Sequence, residues 1–272
     1  MAESTGDAAD RSARGRALLA DVMGVPDTGI ETPYRKAGLV DFVFAEVWSR
    51  PGLSRRDRRW ITLACVGAAD TVGPIEAHVG AALRSGDMTL DEMQEFVLHF
   101  AVYCGWPKAS FLDGVVWQQW ANVCSERGDP PPAPRALPVW GEGLDIEARL
   151  QGGERAFAEI NCVPAPPRTS PYTLAGILSF VFGEVWQRPG LARRDRRLIT
   201  LACVGVDDAI LPIRSHVYSA LKSGDLSVDE MQELVLHFAA YSGWPKGSFL
   251  DQVVRESWER VEAEGGITLP PA

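Results

Sequence analysis

The stretch Ala45–Gly67, AEVWSRPGLSRRDRRWITLACVG, returns as Gly183–Gly205, GEVWQRPGLARRDRRLITLACVG. The offset is constant and no gap falls between the matching letters. Core sequence drifts among apolar residues of similar size. A string of five arginines with fixed Trp, Pro and Gly positions is not maintained by apolar packing alone. Its reading sets the fold. The apolar residues before Arg50-Pro51-Gly52 have helical spacing, Leu39, Phe42, Val43, Val47 and Trp48, and proline followed by glycine ends that helix. A second helix is expected to start near Leu53 and to run through RRDRRWITLACVGA.

The match extends outward. Leu39–Asp113 aligns with Ile177–Asp251 without a gap and with most positions identical, which identifies an internal duplication. Upstream it weakens to Val25-Pro26 against Val163-Pro164 and Pro33-Tyr34 against Pro171-Tyr172. Gly73-Pro74 opens a further helix, since proline suits a first helical turn, and Gly86 is placed to cap it. Thr89-Leu-Asp-Glu92 and Ser227-Val-Asp-Glu230 read as capping boxes that start the next helix in each copy, which stops at Gly105-Trp106-Pro107 in the first. No segment alternates with period two. The expected fold is all-α: two tandem, homologous helical bundles. The expected boundaries are a disordered tail over 1–14, a first domain over 15–128, a proline-rich linker over 129–145 and a second domain over 146–272.

Composition narrows the function classes. A net charge of −9 argues against a nucleic-acid surface. The arginine clusters at 55–59 and 193–197 are interrupted by Asp57 and Asp195, which reads as a solvated, ion-paired face, or as one or two arginines turned inward to hold a carboxylate. No run is long and apolar enough for a signal peptide or a membrane span, and five irregularly spaced cysteines make no disulfide framework. Cys65 and Cys203 read as buried thiols, and the expected location is the cytoplasm. The four histidines form two equivalent pairs, His78 with His216 and His99 with His237. Their spacing matches no compact zinc arrangement, and no phosphate-binding loop is present. His99 shares a helical stripe with Glu95 and Tyr103, as His237 does with Glu233 and Tyr241, which suits a polar seam or a pocket wall. Glu46 and Glu184 are acids on apolar helices, either partners of the arginines or pocket acids. On spacing alone His78 is a histidine inside a helix contact or a pocket group.

The strings EVWSRPGLSRRDRRWITLA (46–64), HVGAALRSGDMTLDEMQEFV (78–97) and AVYCGWPKA (101–109), with their second copies, resemble the successive motifs of the carboxymuconolactone decarboxylase family, in its γ-carboxymuconolactone decarboxylase branch. The resemblance implies the family's all-α bundle (the AhpD-like type). It also implies a cofactor-free, metal-free decarboxylase of a small carboxylated lactone such as 4-carboxymuconolactone, in aromatic catabolism or a related pathway. The alternatives are changed chemistry on another small acid or lactone, or a non-catalytic oligomer that binds a small acid. The Cys-x-x-Cys of the peroxidase-like branch is replaced by Thr71 and Pro74, and by Ala209 and Pro212, which argues against thiol peroxidase chemistry. Under the resemblance His78, His216, Glu46 and Glu184 are the expected catalytic residues. Arg50, Arg188, Arg58, Arg196, Tyr103, Tyr241, Trp106 and Trp244 are the expected substrate contacts. His99, His237, Trp106, Trp244, Lys108 and Lys246 depart from the branch's usual residues, which would change pocket shape and charge. The expected partners are the small substrate and two further copies, in a homotrimer, with neither nucleic acid nor membrane.

Overall fold

The computed structural model describes residues 5–29, 31–69, 71–130, 136–138, 140–141 and 143–267, and the side chains from residue 9 onward. Among these residues the fold is all-α, without a strand, and consists of two tandem, homologous helical bundles. The first contains α1 (Thr5–Met23), α2 (Tyr34–Trp48, wound as a π-helix), α3 (Arg55–Ala68), α4 (Val72–Ser85), α5 (Leu90–Cys104) and α6 (Trp106–Arg127). The second contains α7 (Ile146–Asn161), α8 (Tyr172–Val181, also a π-helix), α9 (Arg193–Val206), α10 (Ile210–Lys222), α11 (Val228–Ser242) and α12 (Trp244–Ala263), with a 3-10 turn at Val185–Gln187.

Local sequence explains most boundaries. Ser54 caps α3 through a capping box with Asp57, so this helix starts at Arg55, after the turn that holds Leu53. Thr89 with Glu92 and Ser227 with Glu230 make the two expected boxes. Gly86 closes α4 in the left-handed region at φ 75°. Residues 5–14, expected in a tail, are instead the first turns of α1. The helix is anchored because Arg11 donates to the Asp41 carbonyl and Ser12 to the Asp41 carboxylate. Residues 1–4 lie outside the described residues. The counterpart of α1 is α7: Gly15 and Gly153 occupy equivalent places, and a Cβ at either would collide with the backbone of α2 or α8.

The two bundles are not separate bodies on a linker. One continuous apolar core contains Trp60, Leu63, Phe96 and Phe100 of the first copy with Leu198, Leu201, Leu234 and Phe238 of the second. Helices α3 and α9 pack together, α3 also packs on α11, and α5 packs on α9. The relation is reciprocal. Arg56 pairs with Asp195 at 3.0 Å, and Arg194 pairs with Asp57 at 3.3 Å. The aspartates that interrupt the basic clusters are therefore contacts across a pseudo-two-fold axis.

Candidate functional site

The arginine face is not uniformly solvated. Arg55 and Arg56 are half-buried, whereas Arg58, Arg59, Arg196 and Arg197 are fully buried. Arg58 lies on one helical stripe with Thr62 and Cys65, both buried in the interior. An unpaired guanidinium is very costly away from water, and each finds its anion inside the protein. Arg59 pairs with Asp87 at 2.9 Å and donates to the Val22 carbonyl near the end of α1. Arg197 does the same with Asp225 and the Ile160 carbonyl. Cations suit such helix C-termini.

Arg50 and Arg58 do hold a carboxylate, and it is the protein's own. Arg50 Nε donates to Glu233 at 2.6 Å, and Arg58 Nη2 donates to Glu233 at 3.0 Å and to the Arg50 carbonyl at 2.9 Å. In the second copy Arg188 makes a bidentate pair with Glu95 at 2.5–2.9 Å, and Arg196 lies 3.7 Å from the same carboxylate. Each glutamate comes from the opposite bundle. Gly52 and Gly190 make room for it, since a Cβ there would run into the Glu233 or Glu95 side chain. Arg-Pro-Gly is thus explained by function of structure: proline ends the helix, and glycine admits the other copy's carboxylate. These arginines are committed to the frame and are not brought to a cavity.

The glutamates expected as catalytic also stand apart. Glu46 is exposed and pairs with Arg11 at 2.8 Å. Glu184 is half-buried, 3.8 Å from Arg188. Neither is brought against a histidine by any described contact, because the face of α2 that carries Glu46 turns toward α1. Lys108 and Lys246 cap the ends of α3 and α9 by donating to the carbonyls of Ala68 and Val206.

Two composite sites remain, each built from both copies. In the first, Trp48 Nε1 of α2 donates to Tyr241 Oη of α11 at 2.8 Å. Arg58 Nη1 lies 3.4 Å from His237 Nδ1, and His237 Nε2 lies 2.8 Å from Thr62 Oγ1. A guanidinium only donates, so Nδ1 accepts and the ring proton sits on Nε2, toward Thr62. The His78 ring of α4 stands edge-on to Tyr241, with centroids 5.6 Å apart. The second site repeats this with Trp186 and Tyr103 (2.8 Å), Arg196 and His99 (3.3 Å), His99 and Thr200 (2.9 Å), and His216 beside Tyr103. The exposed indoles are exchanged too: Trp244 lies against Phe42, and Trp106 against Phe180.

His78 and His216 are buried and their Nδ1 atoms have no partner. Burial, reinforced by Arg59, lowers the His78 pKa to about 4; burial and Arg197 lower that of His216 to about 3. Both imidazoles are neutral at neutral pH. His99 and His237 are pushed well below their ordinary value, first by burial and then by their arginines. Burial raises Tyr103 and Tyr241 to about 12, so both remain phenols and potential donors.

A cavity of about 740 Å³ opens over the first site. His78, Tyr241 and Trp244 line it, together with apolar residues of α1 and α2 and with Arg35. Arg35, which lines the cavity, and Arg59, which lowers the His78 pKa, stand beside the site and were not singled out from the sequence. For Arg59 the signal was present, since Arg58 and Arg59 share the apolar face of their helix. For Arg35 no repeated motif exists, because its counterpart is Thr173. Among the described residues no cluster of three His, Cys, Asp or Glu side chains is arranged to hold a metal ion, and no helix is long and apolar enough to cross a membrane.

Comparison with known proteins adds chemistry to this geometry. A family model described as the carboxymuconolactone decarboxylase family matches residues 35–116 and 171–256. The chain is 35% identical over 107 residues to nitrosuccinic acid decarboxylase npaB of Metarhizium robertsii, covering 39% of this chain and 72% of that protein. It is 40% identical over 72 residues to 4-carboxymuconolactone decarboxylase of Acinetobacter baylyi, covering 25% of this chain and 51% of that one. The chain thus spans about half the length of the second relative.

Proposed function

Since the chain belongs to the carboxymuconolactone decarboxylase family, we propose that it is a cofactor-free carboxy-lyase. Its substrate on this reading is a carboxylated lactone such as 4-carboxymuconolactone or a related activated acid, in aromatic catabolism or a neighbouring pathway of the cytoplasm. The observation that carries the proposal is a buried histidine with an unpartnered ring nitrogen, beside a phenol, in a largely apolar cavity. Both relatives are named for removing CO2 from acids. In each acid a neighbouring group can take up the electron pair left behind.

The residues divide the work as follows. Breaking the C–CO2 bond leaves an electron pair that delocalises onto the conjugated carbonyl as an enolate. Tyr241, fixed by Trp48, stands ready to donate to that oxygen, and a fixed donor in a dry site is worth far more than one in water. His78 delivers the proton to carbon and is recharged from solvent. Beside Arg59 alone its imidazole is neutral; a bound carboxylate opposes that field and raises the pKa toward the range useful for proton transfer. The apolar wall favours loss of a charged carboxylate as neutral CO2. His216 and Tyr103 repeat the arrangement in the second site.

The test is CO2 release from 4-carboxymuconolactone by protein dialysed against a chelator. Turnover is expected to survive dialysis and to fall about 100-fold or more in His78→Gln/His216→Gln. A folded double variant with unchanged turnover would exclude the histidines. For assembly we propose a homotrimer, in which three fused pairs stand in for six single domains. Light scattering decides it, and a one-chain mass at micromolar concentration would rule it out.

A further inference from the structure

The two sites share a frame and differ at the mouth. We infer that the His78 cavity is the selective one of the pair, and that its ligand is a carboxylic acid with a bulky apolar or aromatic body, its carboxylate taken by Arg35. This rests on the proposed reaction only for what happens after binding.

Three observations carry it. The first is size and polarity. A cavity of about 740 Å³ lies in the range that encloses drug-sized ligands, roughly 300–1,000 Å³. A small lactone can enter it, and a bulkier acid fills more of it. Its wall includes Met23, Leu39, Phe42, Val66 and the ring of Trp244, which match an apolar body.

The second is charge. Arg35 is the one arginine or lysine among the described lining residues, and no described lining residue is acidic. Its Nη2 donates to Asp27 at 3.0 Å, while its Nε is buried without a partner. Arg35 also lines the cavity, which sets its charge where a ligand carboxylate can reach the guanidinium. Arg35 is partly exposed and His78 nearly fully buried. Arg35, His78 and Tyr241 line one cavity, so a ligand whose carboxylate is held by Arg35 has its body within the same space as His78 and Tyr241.

The third is the second copy, which lacks the device. Thr173 stands in place of Arg35 and Ala165 in place of Asp27. Asp207 replaces Ala69, so an acid occupies a position that is neutral in the first mouth. Phe157 and Val102 replace Leu19 and Ala240, adding side-chain volume to the corresponding wall. A bulky anion that suits the first site meets less room at the second and finds no counterpart of Arg35 there.

Calorimetric titration of the full chain with 2-naphthoate, an unreactive bulky acid, tests this directly. We expect one equivalent per chain, at least 10-fold tighter than succinate or the uncharged 2-naphthalenemethanol. Arg35→Gln should weaken 2-naphthoate at least 10-fold and leave the alcohol unchanged, and Arg35→Lys should recover part of the loss. Asp27→Asn breaks the same ion pair but keeps the cation, so it should preserve or tighten binding; weakening equal to that of Arg35→Gln would mean a merely structural role. Two equal equivalents per chain, no saturable binding, indifference to Arg35→Gln, or succinate as tight as 2-naphthoate would each overturn the inference. Because the probe does not react, these results stand apart from turnover. Arg35-dependent binding without CO2 release would remove the proposed reaction and leave the ligand class in place, whereas turnover of 4-carboxymuconolactone with no 2-naphthoate binding would do the reverse.

Discussion

Set side by side, the two composite sites show which positions a duplication holds and which it releases. The buried frame is the same in both: an arginine pair on the opposite copy's glutamate, a histidine between arginine and threonine, and a tryptophan on tyrosine. Each side chain of that frame serves two bundles at once, so a change in one strands a buried polar partner in the other. The mouth has no such reciprocity. There Arg35 faces Thr173 in the alignment, Leu19 faces Phe157, and the helix that carries Trp48 runs unbroken while that leading to Trp186 stops at Val181.

The largest expected effect probes the frame. Glu95 is almost fully buried, and its partners Arg188 and Arg196 are nearly so. Glu233 holds Arg58, which is buried, and Arg50, whose side chain is 49% exposed and can rehydrate. Breaking a buried pair by removing one partner costs about 3–5 kcal/mol. Glu95→Ala, which strands two guanidiniums, should lie at the upper end of this range and Glu233→Ala about 1–2 kcal/mol lower. Urea unfolding measures both, and equal costs would show that the two frames are energetically equivalent despite the different exposure of their arginines.

A smaller effect separates the two histidines by pH. Their folded pKa values, about 4 for His78 and about 3 for His216, lie below the ordinary 6.5. Below 6.5 the unfolded chain takes up protons that the folded chain refuses. The stability these groups contribute is therefore complete above pH 6.5 and lost as pH falls through that window. At pH 5 each histidine should cost roughly 2 kcal/mol relative to pH 7.5. His78→Gln and His216→Gln should each remove about that share of the decline, with the buried His99 and His237 still contributing theirs. Between pH 4 and 3 the loss from His216 continues while that from His78 levels off, so the two variants part there. Stability of wild type and variants falling in parallel from pH 7.5 to 5 would mean that neither imidazole is kept neutral by the fold.

Much of this was legible in the sequence. Duplication, capping boxes and proline-glycine stops fix the helices from local letters, and the repeated Glu-His-Tyr stripe marks a seam that lies between the bundles. What was not legible has a common physical cause. Sequence spacing shows which side chains share a helix face, not which anion awaits them across an interface. Arg50 and Arg58 therefore read as substrate contacts, although their carboxylate is Glu233. Glu46 read as a partner of the arginine cluster or as a pocket acid, because its partner Arg11 lies in the first turns of α1, within the residues expected in a tail. Arg35 carries no repeat at all, and a residue that makes one site unlike its twin cannot be found by looking for what the twins share.

The smallest expected effect concerns the broken helix. Ala45 sits within α2, and its equivalent is Gly183, where the second copy turns between α8 and the 3-10 turn. Glycine is about 1 kcal/mol less favourable than alanine inside a helix. Gln187 Nε2 supports the break by donating to the Phe182 carbonyl at 2.7 Å, a contact that Ser49 is too short to copy from the equivalent place and replaces with a bond from Oγ to the Ala45 carbonyl. In the broken conformation a Cβ at residue 183 would collide with the carbonyls of Leu178 and Ser179. Alanine is thus disfavoured in the break and favoured in the helix, and the two terms push the segment the same way. Gly183→Ala should extend α8 toward Trp186, with a net stability change within about 1 kcal/mol, while Ala45→Gly should cost α2 about 1 kcal/mol. Backbone amide exchange across residues 181–187 reads the outcome. Slower exchange in Gly183→Ala would show that one residue separates the two mouths. A loss of several kcal/mol with no new protection would show instead that packing around Phe182 and Trp186 holds the break, and that the second site is shaped by its core rather than by its glycine.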